Sequence, residues 1–206
     1  AQFIGCAVME TTFGATQIDS MSVIDNEKEI VVNVNDCPWE LANFSAKLIM
    51  NQYDHIDLLL TGYSGAGAYP QCFDIPDEEK EKEAQNKKTK FLTYGENYVN
   101  LFQPKFFLPF AGRYTLGGKL SKLNKYRGNP ELDEAFNYFS KSSKIDYNKS
   151  KCIVLNPGDF FNITTGKTSN SYIPIDLREK QQYIDEILSK IKFDYENDPI
   201  PKTEEL

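Results

Sequence analysis

The segment HIDLLLTGYSGAGAYP, residues 55–70, is the strongest indication of the fold in this sequence. Its mainly apolar part, residues 56–60, predicts a short β-strand that is buried on both faces and covered by helices. The strand leads into a loop with Gly62, Gly65 and Gly67, whose backbone can approach a ligand closely. Ligands bind at the carboxyl ends of strands in open α/β sheets. The stretch therefore predicts an α/β fold with a ligand site in this loop, or else a tight strand-to-helix connection without a ligand.

Length and composition set the broad class of the protein. The 206 residues are 40% hydrophobic and 13% aromatic, which is typical of a globular domain with a real core. The formal net charge of −7 argues against nucleic acid as a partner, because that partner needs a basic face. No apolar run reaches the roughly 18 residues that span a bilayer, and the residues at the amino end do not resemble a charged-then-apolar signal. We therefore expect a cytoplasmic protein without a membrane partner.

Cysteine and histidine usage narrows the chemistry. The four cysteines, Cys6, Cys37, Cys72 and Cys152, form no C-x-x-C pair, and we expect reduced and mostly buried thiols. His55 is the only histidine. A single imidazole excludes a self-contained zinc site of several histidines and a Rieske cluster. Since His55 stands just before the core strand, with Asp57 two residues on, we interpret it as a strand-entry residue.

The order of elements predicts a β-meander followed by alternating helices and strands. The meander has strands at residues 3–10, 17–24 and 29–35, and an amphipathic helix over residues 39–51 leads to the strand at 56–60. The remaining predicted elements are a charged helix from Pro76-Asp77 whose apolar stripe continues to Phe102 past Gly95, a strand at 105–110, a helix from Asn129 with Pro130 as its first residue, a strand at 152–155, a helix at 175–191 and a frayed tail at 197–206.

The candidate site combines residues that follow different strands. Asp36 follows the third strand, and the loop that follows residues 56–60 supplies its own candidates. If these strands are parallel, their loops open at one end of the sheet. We predict a pocket there with Asp36 as acid, base or ligand, Ser64 and the glycine amides as donors, and Arg113 as an anion clamp. The complete set of predicted site residues is Asp36, Tyr63, Ser64, Gly65, Gly67 and Arg113.

Each candidate also has a structural interpretation. Asp36 is suited to capping the helix that begins near Pro38, and Arg113 to a surface salt bridge. The aromatic residues of the 91–102 stripe are interpreted as core. We expect Gly65→Val to damage ligand binding more than folding, because the added side chain would fill the space next to the ligand.

One further series of segments resembles a known family. The segments are Val34-Asn35-Asp36-Cys37, residues 56–70, residues 87–112 with NLFQPKFFLPFAG at their end, and Leu155-Asn156-Pro157-Gly158. In order and spacing they are similar to the metallo-β-lactamase-like part of CMP-N-acetylneuraminate hydroxylase and its bacterial sugar-pathway relatives. The resemblance covers roughly the first four-fifths of the chain and reaches only the second half of that family's αββα sandwich.

The resemblance implies an architecture and a metal ligand. The implied fold is α/β: half of a metallo-β-lactamase-like αββα sandwich, with a mixed sheet, covering helices and an extra carboxyl-terminal helix. The domains are then 1–165 for the half-sandwich and 166–206 for the last helix and tail. Asp36 matches the family's bridging metal ligand, while Ala111 stands where its late histidine is found. The complete enzyme would use a divalent metal, zinc or iron, and we expect none in this chain alone.

The resemblance also implies a function. We expect the carboxyl-terminal half of a metal-dependent hydrolase or hydroxylase that acts on a sugar or nucleotide-sugar, with Asp36 as its catalytic and metal-binding residue. The alternative is a ligand-binding or protein-interaction module without catalysis. The first residue, Ala1, is not an initiator methionine, which favours a processed or truncated product. Because Leu58, Leu60, Phe107 and Phe110 are costly to expose, we expect a homo-oligomer or a partner that supplies the missing amino-terminal half.

Overall fold

A computed structural model describes residues 2–7, 18–34 and 36–198. Within these residues, six strands form one sheet and two short strands form a separate hairpin. The sheet strands are β1 (Gln2–Ala7), β2 (Ile18–Asp25), β3 (Ile30–Asn33), β4 (Leu58–Thr61), β5 (Phe106–Pro109) and β6 (Lys151–Cys152). The helices are α1 (Trp39–Gln52), α2 (Asp77–Phe102), α3 (Leu132–Lys141) and α4 (Leu177–Glu186), and the hairpin is β7 (Phe161–Asn162) with β8 (Lys167–Thr168).

Strand order in the sheet follows chain order from β1 to β6. The pairs β1–β2 and β2–β3 are antiparallel, as expected for a meander. The pairs β3–β4, β4–β5 and β5–β6 are parallel, because α1, α2 and α3 return the chain to the same end of the sheet each time. The prediction of an α/β fold with a mixed sheet and covering helices is confirmed at this level.

The hydrophobic core lies on the face of the sheet that the helices cover. One row of neighbouring side chains crosses the sheet on this face, and every member is buried: Val23, Val32, Leu59, Phe107 and Cys152. Helix residues from α1, α2 and α3 belong to the same core cluster. The ring of Phe139 in α3 packs edge-on against Phe107 with their centroids 5.6 Å apart. The three helices therefore bury the apolar side chains on this face of the sheet.

The opposite face of the sheet is covered only in part. The adjacent row on this side runs through Ile24, Val31, Leu58 and Phe106. The β7–β8 hairpin covers one end of it, where Phe161 packs edge-on against Phe106 at 4.9 Å. At the other end Ile24 is 53% exposed, and Leu60 and Leu108 in the next row are half-buried. An apolar strip thus remains open to solvent.

Helix α2 is one continuous element of 26 residues that passes through Gly95. A side chain at Gly95 would lie 2.8 Å from the Phe139 ring and 3.1 Å from the Gly62 carbonyl oxygen, so glycine lets α2 approach both α3 and the loop after β4. Asp77, Glu78 and Glu79 occupy the first turn, where negative charge complements the helix dipole. Among the described helices, none is long and apolar enough to cross a membrane.

Several predicted boundaries are wrong for local reasons. Helix α3 begins at Leu132 rather than at Asn129, because Glu131 and Glu134 form a capping box that fixes the first turn. Helix α4 ends at Glu186, and Asp176 caps it through the N–H groups of Arg178 and Glu179. A 3-10 segment, Gly118–Tyr126, and the β7–β8 hairpin were not predicted. The predicted strand over residues 3–10 is described only as far as Ala7.

The described cysteines differ in burial. Cys37 and Cys152 are buried and Cys72 is exposed. Burial raises the pKa of the Cys152 thiol well above its ordinary range, so this side chain stays protonated and acts as an apolar core residue.

Candidate functional site

The loops that follow β3, β4 and β5 meet at one end of the sheet. These strands are parallel, so their carboxyl ends lie side by side. Backbone hydrogen bonds continue the pairing past the strand ends, from Val34 N–H to the Leu60 carbonyl at 3.1 Å and from Phe110 N–H to the Thr61 carbonyl at 2.8 Å. The starts of all three loops are therefore held in fixed positions next to one another.

A cavity of about 1010 Å³ opens between these loops and α2. Asp36, Ser64, Gly65, Gly67 and Gly112 line it from the loop side. Helix α2 lines the other side with Lys87, Phe91, Tyr94 and Tyr98. Pockets of this volume hold small organic ligands. Four of the six predicted site residues therefore line one cavity, while Tyr63 and Arg113 are not among its lining residues.

Asp36 lies in the turn after β3 and is exposed to solvent. The N-cap of α1 is Pro38, without a side-chain hydrogen bond to the first turn, so the helix-cap interpretation of Asp36 is wrong. The neighbouring Cys37 is buried, and its carbonyl accepts a 2.9 Å hydrogen bond from the buried hydroxyl of Tyr98. This bond anchors the turn to α2 and so fixes the position of Asp36 at the cavity.

The glycine-rich loop after β4 is held by side chains from α2 and from the segment beyond β5. The Lys87 ammonium donates to the carbonyls of Gly67 at 3.0 Å and Tyr69 at 2.8 Å. Gln71 Nε2 also donates to the Gly67 carbonyl at 3.0 Å, and the Tyr114 hydroxyl contacts the same oxygen. Burial lowers the pKa of Lys87. Lys87 thus stabilises the loop through hydrogen bonds and also places a cationic group in the cavity wall.

The glycines of this loop have different roles. A side chain at Gly65 would come 2.2 Å from the Phe91 ring, so the backbone packs directly on α2 at that position. No atom lies within 4 Å of the position that a side chain at Gly67 would occupy. The expectation that Gly65 makes space for a ligand is therefore wrong: Gly65 makes space for Phe91, and Gly67 faces the open cavity.

The aromatic wall of the cavity also carries polar groups. The Tyr94 hydroxyl donates to the Glu40 carboxylate. Burial raises the pKa of Glu40, but this hydrogen bond and smaller contributions outweigh it, so the net pKa lies below its ordinary value. The sequence-based interpretation of the 91–102 stripe as core holds for Tyr98 and Phe102, which are buried, while Phe91 and Tyr94 are only half-buried and line the cavity.

A second cluster lies just beyond the cavity. Arg113 follows β5, and its guanidinium pairs with the Glu131 carboxylate instead of facing the cavity. Tyr63 is buried, and burial raises its pKa, with the charge of Arg113 acting in the opposite direction. The structure thus brings Arg113 near Tyr63, while neither residue lines the cavity with the other predicted site residues.

The candidate metal ligands of the described residues do not gather at one place. Among the described residues, no group of three or more His, Cys, Asp and Glu side chains comes together. His55 lies at the entry to β4, the strand end away from the cavity, where its Nε2 is 3.3 Å from Asp57 Oδ2. Asp57 in turn accepts the Ile30 N–H at 2.9 Å, which ties the entries of β3 and β4 together. The expectation that the isolated chain holds no divalent metal remains a prediction.

Comparison with known proteins gives no relative: no family model, no curated protein and no solved structure matches the chain. The resemblance to the metallo-β-lactamase-like family therefore remains a prediction.

Sequence reasoning missed the α2 wall of the cavity, although a signal for it exists. Lys87, Phe91, Tyr94 and Tyr98 recur at spacings of four, three and four residues, which places them on one face of a helix. A lysine at the head of an otherwise aromatic stripe is unusual for a core face. That departure distinguishes a pocket wall from a buried helix face.

Proposed function

We propose that the chain binds a sugar or nucleotide-sugar in the cavity, as the carboxyl-terminal half of a metallo-β-lactamase-like enzyme. The observation that carries this proposal is the convergence of three strand-end loops and α2 on one cavity of about 1010 Å³. Asp36 and Ser64 come from different loops and line the same space.

The chemistry of the lining suits a sugar. Sugar hydroxyls need both donors and acceptors, and sugar rings stack on aromatic side chains. The Asp36 carboxylate supplies an acceptor, and the Lys87 ammonium supplies a donor. Phe91 and Tyr94 present half-buried rings on the opposite wall. A nucleotide-sugar adds an anionic group, for which Lys87, bound to the glycine-rich loop, is a cationic partner in the cavity lining.

The one-sided sheet supports the half-sandwich architecture. All three crossover helices cover the same face, and the apolar strip at Ile24, Leu60 and Leu108 remains partly exposed on the other. A second sheet packed on that strip would bury it and complete an αββα arrangement.

The role of Asp36 is limited to what this chain supplies. A divalent metal needs several oxygen or nitrogen ligands, and the described residues bring Asp36 to the cavity without two further ligands. We therefore assign Asp36 as an acid, a base or a direct ligand of sugar hydroxyls. Any metal of the complete enzyme would take its other ligands from the amino-terminal half.

Calorimetric titration of the chain with a panel of free sugars and nucleotide-sugars tests the binding proposal. We expect binding that weakens about tenfold or more in Asp36→Asn, which removes a charge-assisted hydrogen bond, and in Gly67→Val, which fills open cavity space. Thr115→Val, an exposed change outside the cavity lining, is the control and should bind like the unaltered chain. Absence of binding across the panel would overturn the proposal.

The reading frame upstream of Ala1 tests the enzyme assignment separately. The amino-terminal half of the metallo-β-lactamase-like family brings a His-x-His-x-Asp-His loop. An upstream segment with that motif would supply the metal ligands that the described residues do not bring together. An upstream frame without such a segment favours the second candidate, a binding or interaction module without catalysis. That candidate is favoured by one observation: large apolar side chains are exposed along the carboxyl-terminal segment, among them Ile173, Leu177, Tyr183 and Ile187.

A further inference from the structure

Three cationic side chains surround a single carboxylate beyond the cavity. The Lys180 ammonium of α4 lies 2.6 Å from Glu131 Oε1, and the Arg127 guanidinium lies 4.0 Å from the same oxygen. The Arg113 guanidinium pairs with Glu131 Oε2. Glu131 is the N-cap residue of α3, so its position is fixed by the helix. We call this group the arginine–lysine cluster.

The cluster carries a surplus of positive charge. Among the described residues, the ion pairs of these three cations involve Glu131 alone, which leaves three positive charges against one negative. The side chains are only 18%, 8% and 20% exposed for Arg113, Arg127 and Lys180, so water screens the repulsion between them poorly. Burial lowers the pKa of Lys180 and of Arg127, and the charge of Arg113 lowers both further. A second anion would offset the surplus.

Within the described residues, the cluster also contains a donor that has no acceptor, and a neighbouring side chain in sequence is unpartnered too. The Arg113 Nε is buried and has no hydrogen-bond partner in the described part of the chain. The side-chain amide of Asn129, between Arg127 and Glu131 in sequence, is likewise buried and unpartnered there, and the residue is 8% exposed. A buried polar group without a partner is costly, which is why such groups are rare unless a ligand or water completes them.

We propose that the arginine–lysine cluster binds an oxyanion of the phosphate class. The surplus of two positive charges matches the charge of about −1.5 to −2 that a phosphate group carries at neutral pH. The fork of a guanidinium matches two phosphate oxygens, and an ammonium adds a third contact. Arg113 supplies these contacts through its unpartnered Nε, and Lys180 through the N–H donors of its ammonium that do not face Glu131. Arg127 already donates to the carbonyls of Asn124 and Tyr114.

This site is distinct from the sugar cavity and does not rest on the proposed function. Arg113, Arg127 and Lys180 are absent from the cavity lining. The oxyanion is either free phosphate or the phosphate group of a larger molecule, and both use the same contacts. The charge and the tetrahedral oxygens, rather than the attached group, determine recognition.

Phosphorus NMR and thermal unfolding of the full chain test the proposal. Inorganic phosphate should raise the unfolding temperature more than sodium chloride at equal ionic strength, with saturation. Arg113→Gln should weaken phosphate binding about tenfold or more, because a charge-assisted hydrogen bond is lost. The control is Lys88→Gln, which removes a cation that pairs with one carboxylate, Glu134 at 3.0 Å, and it should bind as the unaltered chain does.

Further variants keep the test decisive if Arg113→Gln folds poorly. Arg113→Lys retains the charge but loses the fork and should bind with intermediate affinity, while Lys180→Gln should weaken binding from the side of α4. Glycerol phosphate tested beside inorganic phosphate separates the two sources: tighter binding of the ester indicates a larger ligand, and tighter binding of inorganic phosphate indicates the free ion. Equal stabilisation by phosphate and chloride, or equal loss in Lys88→Gln and Arg113→Gln, would overturn the proposal.

Discussion

The hydroxyl of Ser64 donates a hydrogen bond of 3.1 Å to the backbone carbonyl of Gly112. Ser64 lies in the loop after β4, and Gly112 lies three residues beyond the end of β5, so this bond joins the two loops. Ser64 is buried. Both residues line the cavity. The bond therefore sets the width of the cavity between two of its walls.

Ser64→Ala removes this bond and leaves the Gly112 carbonyl without that donor. We expect a loss of about 1 kcal/mol in the free energy of unfolding, the usual value for one intramolecular hydrogen bond. Urea denaturation measures it, with Ser143→Ala at an exposed position as the control. A variant as stable as the unaltered chain would show that the bond does not hold the loops together.

Alanine substitutions at Gly65 and Gly67 should have opposite consequences. Gly65→Ala pushes a methyl group into the Phe91 ring, and overpacking of this kind typically costs about 1–3 kcal/mol. Gly67→Ala meets open space and should leave the unfolding free energy within about 0.5 kcal/mol. Denaturation curves of the two variants compare them directly. Because Phe91→Leu removes the ring, it should recover part of the Gly65→Ala loss, and failure to recover any would contradict the packing argument.

Phe107 within β5 and Phe110 just after it allow a comparison of a buried and an exposed phenylalanine. Phe107 is 0% exposed between the sheet and α3, and Phe107→Ala should cost about 3–5 kcal/mol. Phe110 is 50% exposed beyond the strand end, and Phe110→Ala should cost less than about 1 kcal/mol. Thermal unfolding distinguishes these values easily. Similar losses for both variants would mean that Phe110 is buried in solution, as in a dimer or with a partner half.

Glu131→Gln should reveal the charge of the arginine–lysine cluster through pH. Burial raises the pKa of Glu131, but the hydrogen bonds and charges of Lys180 and Arg113 lower it more, to below the ordinary 4.5. Its contribution to stability is therefore present above pH 4.5 and is lost as the pH falls through the lower pKa of the folded protein. Glutamine can still accept the capping hydrogen bond, so the variant isolates the charge.

At pH 7 we expect Glu131→Gln to lower the free energy of unfolding by about 2 kcal/mol. This value lies between those typical of exposed and of fully buried ion pairs. Below pH 4.5 the difference from the unaltered chain should shrink. Glu81→Gln, at an exposed position of α2, is the control and should show neither effect. A difference that stays constant from pH 7 to pH 3 would exclude the carboxylate charge as its cause.

The sequence predicted the layout of the sheet because local patterns carry that information. Apolar runs at residues 56–60 and 105–110, separated by helical periodicity, indicate parallel strands, and parallel strands bring their loops together. The grouping of Asp36 with Ser64 at one cavity follows from that rule. The rule needs only the order of the elements and no knowledge of individual side-chain contacts.

The sequence did not reveal which side chains meet across the fold. Gly65 packs on Phe91, and Arg113 pairs with Glu131, at chain separations that no local pattern encodes. The grouping of Phe107 with Phe110 failed for a related reason. Phe107 faces α3 within the strand, whereas Phe110 lies beyond Pro109, where alternation between the two faces no longer applies.

The agreement between strand order and chain order has a consequence for how the protein is made on the ribosome. Each strand from β2 to β6 pairs with the strand synthesised just before it. No strand has to be inserted between two that are already hydrogen-bonded. The sheet can therefore grow at one edge as translation proceeds, each new strand and its helix adding to a nucleus already in place. When β6 emerges last from the ribosome, it only has to pair with the exposed edge of β5.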